Sequence, residues 1–472
     1  MNTTTQADSK KVGFKGKIDR FFKISERGST IGRELLGGLI IFLAMIYILP
    51  VNADILGNGA NMGFAAVFVA TAIATGVTTI LMGLIANYPI GLSAGMGLNA
   101  LMAYTVCGSL GFTWQEALAC IFVSGVLFLI ISLTGIRRKI INAIPKNLKL
   151  AIGAGIGGFI CFIGLKNAGI IIDDSGTFVA FVKHPSGMVY LAIFGIVVAF
   201  ILYALKSKIN RFTVIISMVV TAVVGLVIYY ILGAVNGFDS AITNSFPHFG
   251  TNESIKDVAK VFGGCFDGFK TVFAKPEAYA VIFTFLFVDF FDTAGTLVAV
   301  GQDSGLVDED GHLKDDQKAM AIDAIGTVFG SIVGTSTVTS FVESTTGVKS
   351  GARTGLAAIT TGVLFLLSIF LFNVFSIFTY SATTSMALVL VGAMMFASLK
   401  NIDWDDKITV ASSFITVVSM ILCYSISEGI AIGFILYVLM MLFSKRHKEV
   451  SWIMYLIAAL FVINFVVKFA FL

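Results

Sequence analysis

Long apolar stretches separated by short polar or basic loops make up most of the chain. Each stretch is continuously apolar, whereas a membrane-spanning β-strand alternates apolar and polar residues over about 10 positions. A run of about 20 apolar residues is long enough to cross the hydrocarbon core of a bilayer as a helix. The pattern therefore predicts an all-α, polytopic membrane protein.

We expect about fourteen spans, in two sets of seven separated by a polar loop at 234–277. The first set is 34–50, 65–86, 93–107, 115–134, 148–167, 188–205 and 212–233. The second set is 278–300, 319–333, 336–348, 353–373, 379–398, 408–426 and 428–443. The apolar run Trp452–Leu472 is either a further span or an interfacial helix.

Basic residues indicate the orientation, because cytoplasmic loops of membrane proteins are enriched in Lys and Arg. With fourteen spans, the basic segments all fall on the side of the N-terminus: Lys10–Lys23, Arg137–Lys149, Lys206–Arg211, Lys349 with Arg353, and Ser444–Lys448. This side is therefore expected to be cytoplasmic, with the protein in the bacterial inner (plasma) membrane.

Two successive sets of seven spans must lie inverted with respect to each other, which is a common plan of transporters. The expected organisation is a cytoplasmic N-terminal segment, a first repeat, an extracytoplasmic loop, a second repeat and a C-terminal basic segment with its apolar helix. Their bounds are 1–30, 31–233, 234–277, 278–443 and 444–472.

Composition excludes several classes of protein. The chain is 57% hydrophobic and 13% charged, whereas soluble domains carry about 25% charged residues. The net charge of +4 lies in loops and gives no indication of nucleic-acid binding. The five cysteines show no CxxC spacing and are interpreted as packing residues. No signal peptide, cofactor or metal site is expected.

The third and tenth predicted segments differ from ordinary lipid-facing helices. The third, from Ile90, is rich in Gly and contains Asn99, and the tenth, from Gly334, is short and rich in Ser and Thr. We expect both to be broken and to contain short extended pieces, because glycine permits close backbone approach and β-branched residues favour extended backbone. Corresponding broken segments in two halves point to a transport site; two ordinary packing helices are the alternative.

Carboxylates within apolar segments are the main candidates for chemistry, because a charge at the bilayer centre costs about 2.5–3.5 kcal/mol on the mildest scale. Asp289 and Asp292 lie three residues apart in the eighth segment, and Glu343 lies in the tenth. No Lys or Arg is placed in these spans to pair with them. The alternative is a neutral acid bonded to backbone; Asp323 is interpreted as structural.

These groups suit a planar heterocycle. A carboxylate can accept two parallel N–H bonds from one edge of a base, and the Asn99 amide can both donate and accept. Hypoxanthine and guanine present an N–H beside a C=O, which matches this set. Burial raises the pKa of carboxyl groups in general, so an acid here could load and release a proton.

Four motifs resemble a known family. They are RELLGGLIIFLAMIYILPVNADIL (33–56), SAGMGLNA (93–100), FFDTAGT (290–296) and GTSTVTSFVESTTGV with ARTGL (334–356). They are similar to the AzgA-like purine permeases, the adenine–guanine–hypoxanthine branch of the nucleobase–ascorbate transporter superfamily. The similarity extends in order over nearly the whole chain. Ser93-Ala94 and Gly351-Ala352 replace a proline and a paired glycine of many relatives.

The resemblance implies fourteen helices in two inverted repeats, a core domain that moves like an elevator against a dimerising gate domain, and proton symport of purines. It implies substrate contacts by Asn99, Asp292 and Glu343, with Phe341, Val342 and Thr296 lining the pocket. Asp292, Glu343 and Asp289 are the candidates for proton coupling. The expected partners are a purine base, a proton, membrane lipid and a second copy of the chain.

Alternative functions remain. An adenine-preferring permease is the nearest, because adenine would require Asp292 or Glu343 to be protonated. An anion transporter on the same fold would favour an Arg or a neutral residue at the tenth segment, where this chain has Glu343. An enzyme is least favoured, because no HExxH motif, Cys/His cluster or GxSxG nucleophile elbow is identified.

Overall fold

A computed structural model describes residues 14–134, 143–205, 212–238, 240–247, 254–304, 316–378 and 380–471. The segment 206–211 lies outside these residues, as do Leu472, residues 137–142 of the basic loop 137–149 and residues 305–315.

Nine helices lie in the described residues of the first part of the chain. They are α1 Phe14–Phe22, α2 Ile31–Met45, α3 Ile48–Gly59, α4 Phe64–Leu81, α5 Met96–Ala100, α6 Trp114–Leu133, α7 Lys146–Asn167, α8 Gly187–Ala204 and α9 Thr213–Asn236. The π-helical segments Met82–Ala86 and Leu101–Ser109 continue α4 and α5. Strand β1, Leu92–Ala94, precedes α5, and the hairpin β2 Ile171–Asp174 with β3 Phe178–Phe181 follows α7.

Eight further helices of six or more residues lie in the described residues of the second part. They are α10 Glu277–Ser304, α11 Asp316–Val333, α12 Ser344–Lys349, α13 Gly355–Leu367, α14 Ser381–Phe396, α15 Lys407–Leu422, α16 Ile426–Phe443 and α17 Trp452–Phe471. The shorter helices are Ser368–Leu371, Phe372–Phe375, Ser376–Phe378, Ala397–Asn401 and His447–Glu449. Strand β4, Val338–Ser340, lies between α11 and α12. The region 234–277 contains the short helices Ala241–Asn244, Ile255–Lys260, Gly264–Gly268 and Val272–Ala274.

The prediction of an all-α membrane fold with broken third and tenth segments is confirmed. Within the described residues, nine helices are long and apolar enough to cross a membrane. Every predicted span coincides with a helix or with one of the two broken segments, although the total of fourteen crossings stays a prediction. The first span, predicted as 34–50, is longer: α2 and α3 together run over Ile31–Gly59. The predicted span stops before the end of α3 because Pro50 and Asn52 interrupt the apolar run.

The helices pack in two groups. In the first group, α6 packs against α10 and α11, while α13 packs against α2 and α4. Helix α3 packs on α4, and β1, α5 and β4 lie among these helices. In the second group, α7 packs against α14 and α15, α8 against α9 and α14, and α15 against α16. Helix α17 packs on α16, where the rings of Phe434 and Phe461 lie 5.8 Å apart.

Glycines permit the closest helix contacts in both groups. A Cβ on Gly76 of α4 would lie 2.9 Å from the carbonyl oxygen of Gly362 in α13. In the second group, a Cβ on Gly157 of α7 would lie 2.6 Å from the carbonyl oxygen of Gly392 in α14. Close packing of small residues is the main attraction between helices in lipid, where no hydrophobic effect drives association. These glycines therefore hold each group together.

Strands β1 and β4 pair antiparallel, with Ser93 opposite Thr339. The pairing continues at both ends, since the Gly95 amide donates to the Thr337 carbonyl at 3.0 Å and the Phe341 amide donates to the Gly91 carbonyl at 2.9 Å. In a membrane, non-helical backbone is tolerated only where protein or water satisfies its polar groups. The two broken segments meet this requirement by bonding to each other.

A buried carboxylate caps α13 and joins it to α2. Glu34 is 0% exposed, and its two oxygens accept hydrogen bonds from the backbone amides of Arg353 at 2.8 Å and Thr354 at 3.1 Å. These amides lie at the start of α13, where the first N–H groups of a helix lack partners within it. The pairing therefore joins the RE and ARTGL motifs, which lie 319 residues apart in the chain.

We expect Glu34→Ala to lower the free energy of unfolding by about 2 kcal/mol, because two buried amides lose a charged acceptor. The measurement is the melting temperature of the detergent-purified protein. Glu26→Ala is the control. The Glu26 side chain is 68% exposed, and its ion pair with Lys23, at 3.6 Å, lies within one surface segment. Equal melting temperatures for the two variants would contradict the capping role.

Candidate functional site

The strand pair positions the start of α5 beside β4. Asn99 lies in α5 and is 0% exposed. Its Nδ2 donates to the Ala94 carbonyl at 3.4 Å, while its Oδ1 has no hydrogen-bond partner among the described residues. A buried amide oxygen without a partner is costly. Asn99 therefore holds an unused acceptor where the two broken segments meet.

Glu343 lies immediately before α12 and lines a cleft between the two helix groups. Its Oε1 accepts a 2.7 Å hydrogen bond from the Tyr47 hydroxyl. The other lining residues are Ala44 from α2, Phe212, Thr213, Val214 and Ile215 at the start of α9, and Met394 near the end of α14. The first group thus contributes the carboxylate and its tyrosine donor, and the second group contributes mainly apolar side chains.

Asp292 lies on α10 and is exposed, although it does not line this cleft. Its carboxyl interacts with the Thr339 hydroxyl and with the charge of Glu343. Asp292 and Glu343, from the eighth and tenth segments, therefore lie close enough to interact electrostatically, although only Glu343 lines the cleft. Thr339 of β4 lies against α10, since its hydroxyl is also 3.0 Å from that of Thr293.

The other three predicted lining residues differ in exposure. Val342 is 50% exposed, whereas Phe341 is 7% and Thr296 is 8% exposed. Phe341 uses its backbone amide to extend the strand pairing. Only Val342 therefore presents a freely accessible surface, and the roles of Phe341 and Thr296 stay predictions.

Asp289 and Asp323 lie against β4, away from the cleft lining. Asp289 is 1% exposed and accepts a 2.8 Å hydrogen bond from the Thr327 hydroxyl, which also bonds the Val338 carbonyl of β4. Asp323 is 0% exposed and accepts from Thr293 at 2.7 Å and Ser340 at 2.6 Å. These bonds tie α10 and α11 to β4. They support the structural interpretation of Asp323 and place Asp289 in the same network.

Sequence reasoning missed two residues. Tyr47 holds Glu343, and Asp54 is a buried acid of α3 that accepts from Thr384 at 2.8 Å. Both lie in the motif 33–56 that carried the family resemblance. Asp54 could have been found by the same rule that selected Asp289 and Asp292, since it is a carboxylate in an apolar segment. No comparable signal marked Tyr47.

The chain does contain the letters of a GxSxG motif, contrary to the expectation from its sequence. Residues 91–95 read GLSAG, which does fit the letters of GxSxG. Ser93 is nevertheless 0% exposed within the paired strand β1, and its hydroxyl lies 2.7 Å from that of Thr75. A nucleophile elbow presents its serine on a sharp, accessible turn. This environment does not fit that role.

Comparison with known proteins agrees with this geometry. A family model described as "Permease family" (Xan_ur_permease) matches residues 32–432. The chain belongs to this permease family, the nucleobase–ascorbate transporters. The permease is thus a multi-pass membrane transporter, and the resemblance drawn from its four motifs is confirmed.

Curated relatives cover nearly the whole permease. Guanine/hypoxanthine permease PbuG of Bacillus subtilis is 44% identical over 454 residues, which cover 94% of this chain and 99% of the relative. Adenine permease AdeQ of Escherichia coli is 37% identical, with 96% of each chain covered. These proteins are transporters, a class that generally lacks enzymatic activity.

Solved structures show the same fold in more distant proteins. The transmembrane domain of the cyanobacterial bicarbonate transporter BicA matches with a TM-score of 0.61 at 13% identity, covering 84% of the permease and 96% of that chain. SLC26A9 matches with a TM-score of 0.52 at 14% identity, covering 88% and 66% respectively. At these identities the likeness shows the fold alone.

We expect Thr293→Val to lower the free energy of unfolding by about 2 kcal/mol, because buried Asp323 loses one hydroxyl donor. Thr284→Val is the matched control on the same helix, since the Thr284 hydroxyl bonds only the Ala280 carbonyl one turn away. Melting temperatures of both purified variants provide the measurement. If Thr293→Val is no less stable than Thr284→Val, the hydroxyl does not support Asp323.

Proposed function

We propose that the permease imports purine nucleobases, with hypoxanthine and guanine favoured, by proton symport. The observation that carries this proposal is the position of Glu343, an acid in the lining of a cleft between two helix groups. The names of relatives support the substrate class: PbuG and PbuO, at 44% and 37% identity, are guanine/hypoxanthine permeases.

The chemistry of the site fits a flat base. Tyr47 donates to Oε1 of Glu343, which orients the carboxylate and leaves its remaining acceptor capacity for a ligand. A purine with an N–H at its edge can donate there. Asn99 and Asp292 lie outside the lining of this cleft, and we propose that they supply further polar contacts once the substrate moves deeper between α5 and α10. The apolar residues Val214, Ile215 and Met394 of the cleft offer surfaces for the faces of the ring. Ligand sites commonly combine apolar walls with a few placed polar groups.

Proton coupling is assigned to Asp292 and Glu343, with Asp289 as a third candidate. Like charges at close range disfavour simultaneous ionisation of both groups. One proton shared between Asp292 and Glu343 would relieve this repulsion, so that loading the substrate and loading the proton favour each other. Asp289 lies in the network behind β4 and could exchange a proton with its neighbour one helix turn away on α10.

An elevator movement of the first helix group against the second is the proposed mechanism. The first group corresponds to the core domain and the second to the gate domain of the two inverted repeats. The N-terminus is assigned to the cytoplasm, the protein to the bacterial inner membrane, and a homodimer to the gate domain. The position of Glu343 at the boundary of the groups supports this assignment. A site at this boundary can be exposed to one side of the membrane and then to the other when one group slides against the other.

Adenine is the second candidate substrate. AdeQ and AdeP, both adenine permeases, are 37% and 38% identical to the chain. Adenine presents an amino group beside an unprotonated ring nitrogen, so a protonated Asp292 or Glu343 would suit it better. An anionic substrate is disfavoured, because two carboxylates at the site would repel it.

We expect Glu343→Ala and Asp292→Ala to abolish uptake of the preferred purine while the protein still reaches the membrane, because each removes a carboxylate from the proposed site. Asp267→Ala is the control, since Asp267 is an exposed residue paired with Lys270 three positions away. Initial rates of labelled-purine uptake, normalised to membrane protein level, provide the measurement. Normal uptake by either site variant would remove that residue from the site.

Uptake of labelled hypoxanthine, guanine, adenine and uracil, each with and without a protonophore, tests the function itself. We expect hypoxanthine and guanine to accumulate, uracil to be excluded, and the protonophore to abolish accumulation. Accumulation that persists with the protonophore would refute proton coupling. Preference for adenine would establish the second candidate instead.

A further inference from the structure

A buried carboxylate joins the two helix groups at a second place. Asp54 lies near the end of α3, in the first group, and is 8% exposed. Its Oδ2 accepts a 2.8 Å hydrogen bond from the Thr384 hydroxyl in the first turn of α14, which belongs to the second group. Its Oδ1 accepts from Nδ2 of Asn58 at 2.6 Å. The bond to Thr384 therefore crosses the boundary between the groups.

A second polar contact crosses the same boundary nearby. Tyr104, in the π-helical continuation of α5, accepts a 2.9 Å hydrogen bond from Nδ2 of Asn167 at the end of α7. A Cβ on Gly59, at the end of α3, would lie 3.4 Å from the Tyr104 ring. The ends of α3, α5 and α7 thus meet beside Asp54. Two polar side-chain contacts therefore join the groups at this end.

The cleft lies at the opposite end of α14. Thr384 and Met394 are ten residues apart on this helix, which corresponds to about 15 Å at 1.5 Å per residue. Met394 lines the cleft with Glu343. The boundary between the groups is therefore bonded at one end and open at the other. Under the proposed orientation, the bonded end is extracytoplasmic.

We propose that Asp54 and Thr384 form a latch, which keeps the extracytoplasmic side closed while the cleft is open. Asp54 acts as a positioning residue for transport and has no need to touch the substrate. Separating the groups removes the Thr384 donor from a buried carboxylate, which is costly until water replaces it. The latch proposal rests on the proposed sliding movement. It identifies the hydrogen bond between Thr384 and Asp54 as the contact that must break during that movement.

Cysteine alkylation tests the latch without any transport assay. The five native cysteines are replaced by serine, and Ala387→Cys is added as the reporter. Ala387 is 0% exposed and lies three residues after Thr384, so it shares the face of α14 that carries the latch. Its reaction with a maleimide reports the population in which this end is open.

We expect Thr384→Val to raise the rate of Ala387→Cys labelling about tenfold, the effect of losing one charge-assisted hydrogen bond. Thr383→Val is the matched control, because the Thr383 hydroxyl bonds the nearby carbonyls of Tyr380 and Phe378 and does not reach the first group. Equal labelling rates for the two variants would overturn the latch.

A double-mutant cycle distinguishes loss of the bond between Asp54 and Thr384 from a general destabilisation of α14 by the Thr384 substitution. In an Asp54→Ala background, Thr384→Val should have no further effect on labelling, because its partner is already absent. A tenfold effect that persists without Asp54 would overturn the proposal. Labelling needs no substrate, so its result does not depend on the assignment of purine transport. If the permease carries another substrate, the expected labelling rates stay the same.

Discussion

Backbone hydrogen bonding inside the membrane is the constraint on which this structure depends. Two segments leave the helical conformation, and each would expose unpaired N–H and C=O groups to hydrocarbon. Pairing β1 with β4 satisfies them, and side chains complete the set: Thr79 exchanges hydrogen bonds with both backbone groups of Leu92, and Ser344 accepts from the Gly91 amide. The site exists because these interrupted segments stabilise each other.

The environments of the buried carboxyl groups follow from this pairing of β1 with β4. The β4 backbone and its hydroxyls lie between α10 and α11, so Asp289 and Asp323 are enclosed. Both oxygens of Asp323 accept hydrogen bonds, and one oxygen of Asp289 does. Glu343, three residues after β4, emerges at the boundary of the groups instead. The strand thus encloses Asp289 and Asp323, whereas Glu343 lines the cleft. Their different environments arise from where α10, α11 and the end of β4 place each carboxylate rather than from residue type.

The boundary between the helix groups contains the carboxylates on which both proposals rest. Within each group, glycine contacts bring helices close and favour a rigid unit. Between the groups, two polar contacts lie at one end and a cleft lies at the other, and ring contacts such as Phe287 with Phe434 at 5.2 Å also join them. Glu343 and Asp54 are both carboxylates of the first group at this boundary. One faces the cleft, and the other bonds directly to the opposite group.

The amino-acid sequence alone determined the membrane class, nearly all helix positions, the two broken segments and the family, because hydropathy and motif spacing are local properties. It also selected Asp292 and Glu343, since an intramembrane charge stands out in any apolar run. It could not show that Tyr47 reaches Glu343 across 296 residues of chain or that Asp54 meets Thr384 across 330. Nor could it tell that Asp289 is enclosed whereas Asp292, three residues away, is exposed. Those facts depend on which helices pack together, and only the tertiary structure brings the partners into contact.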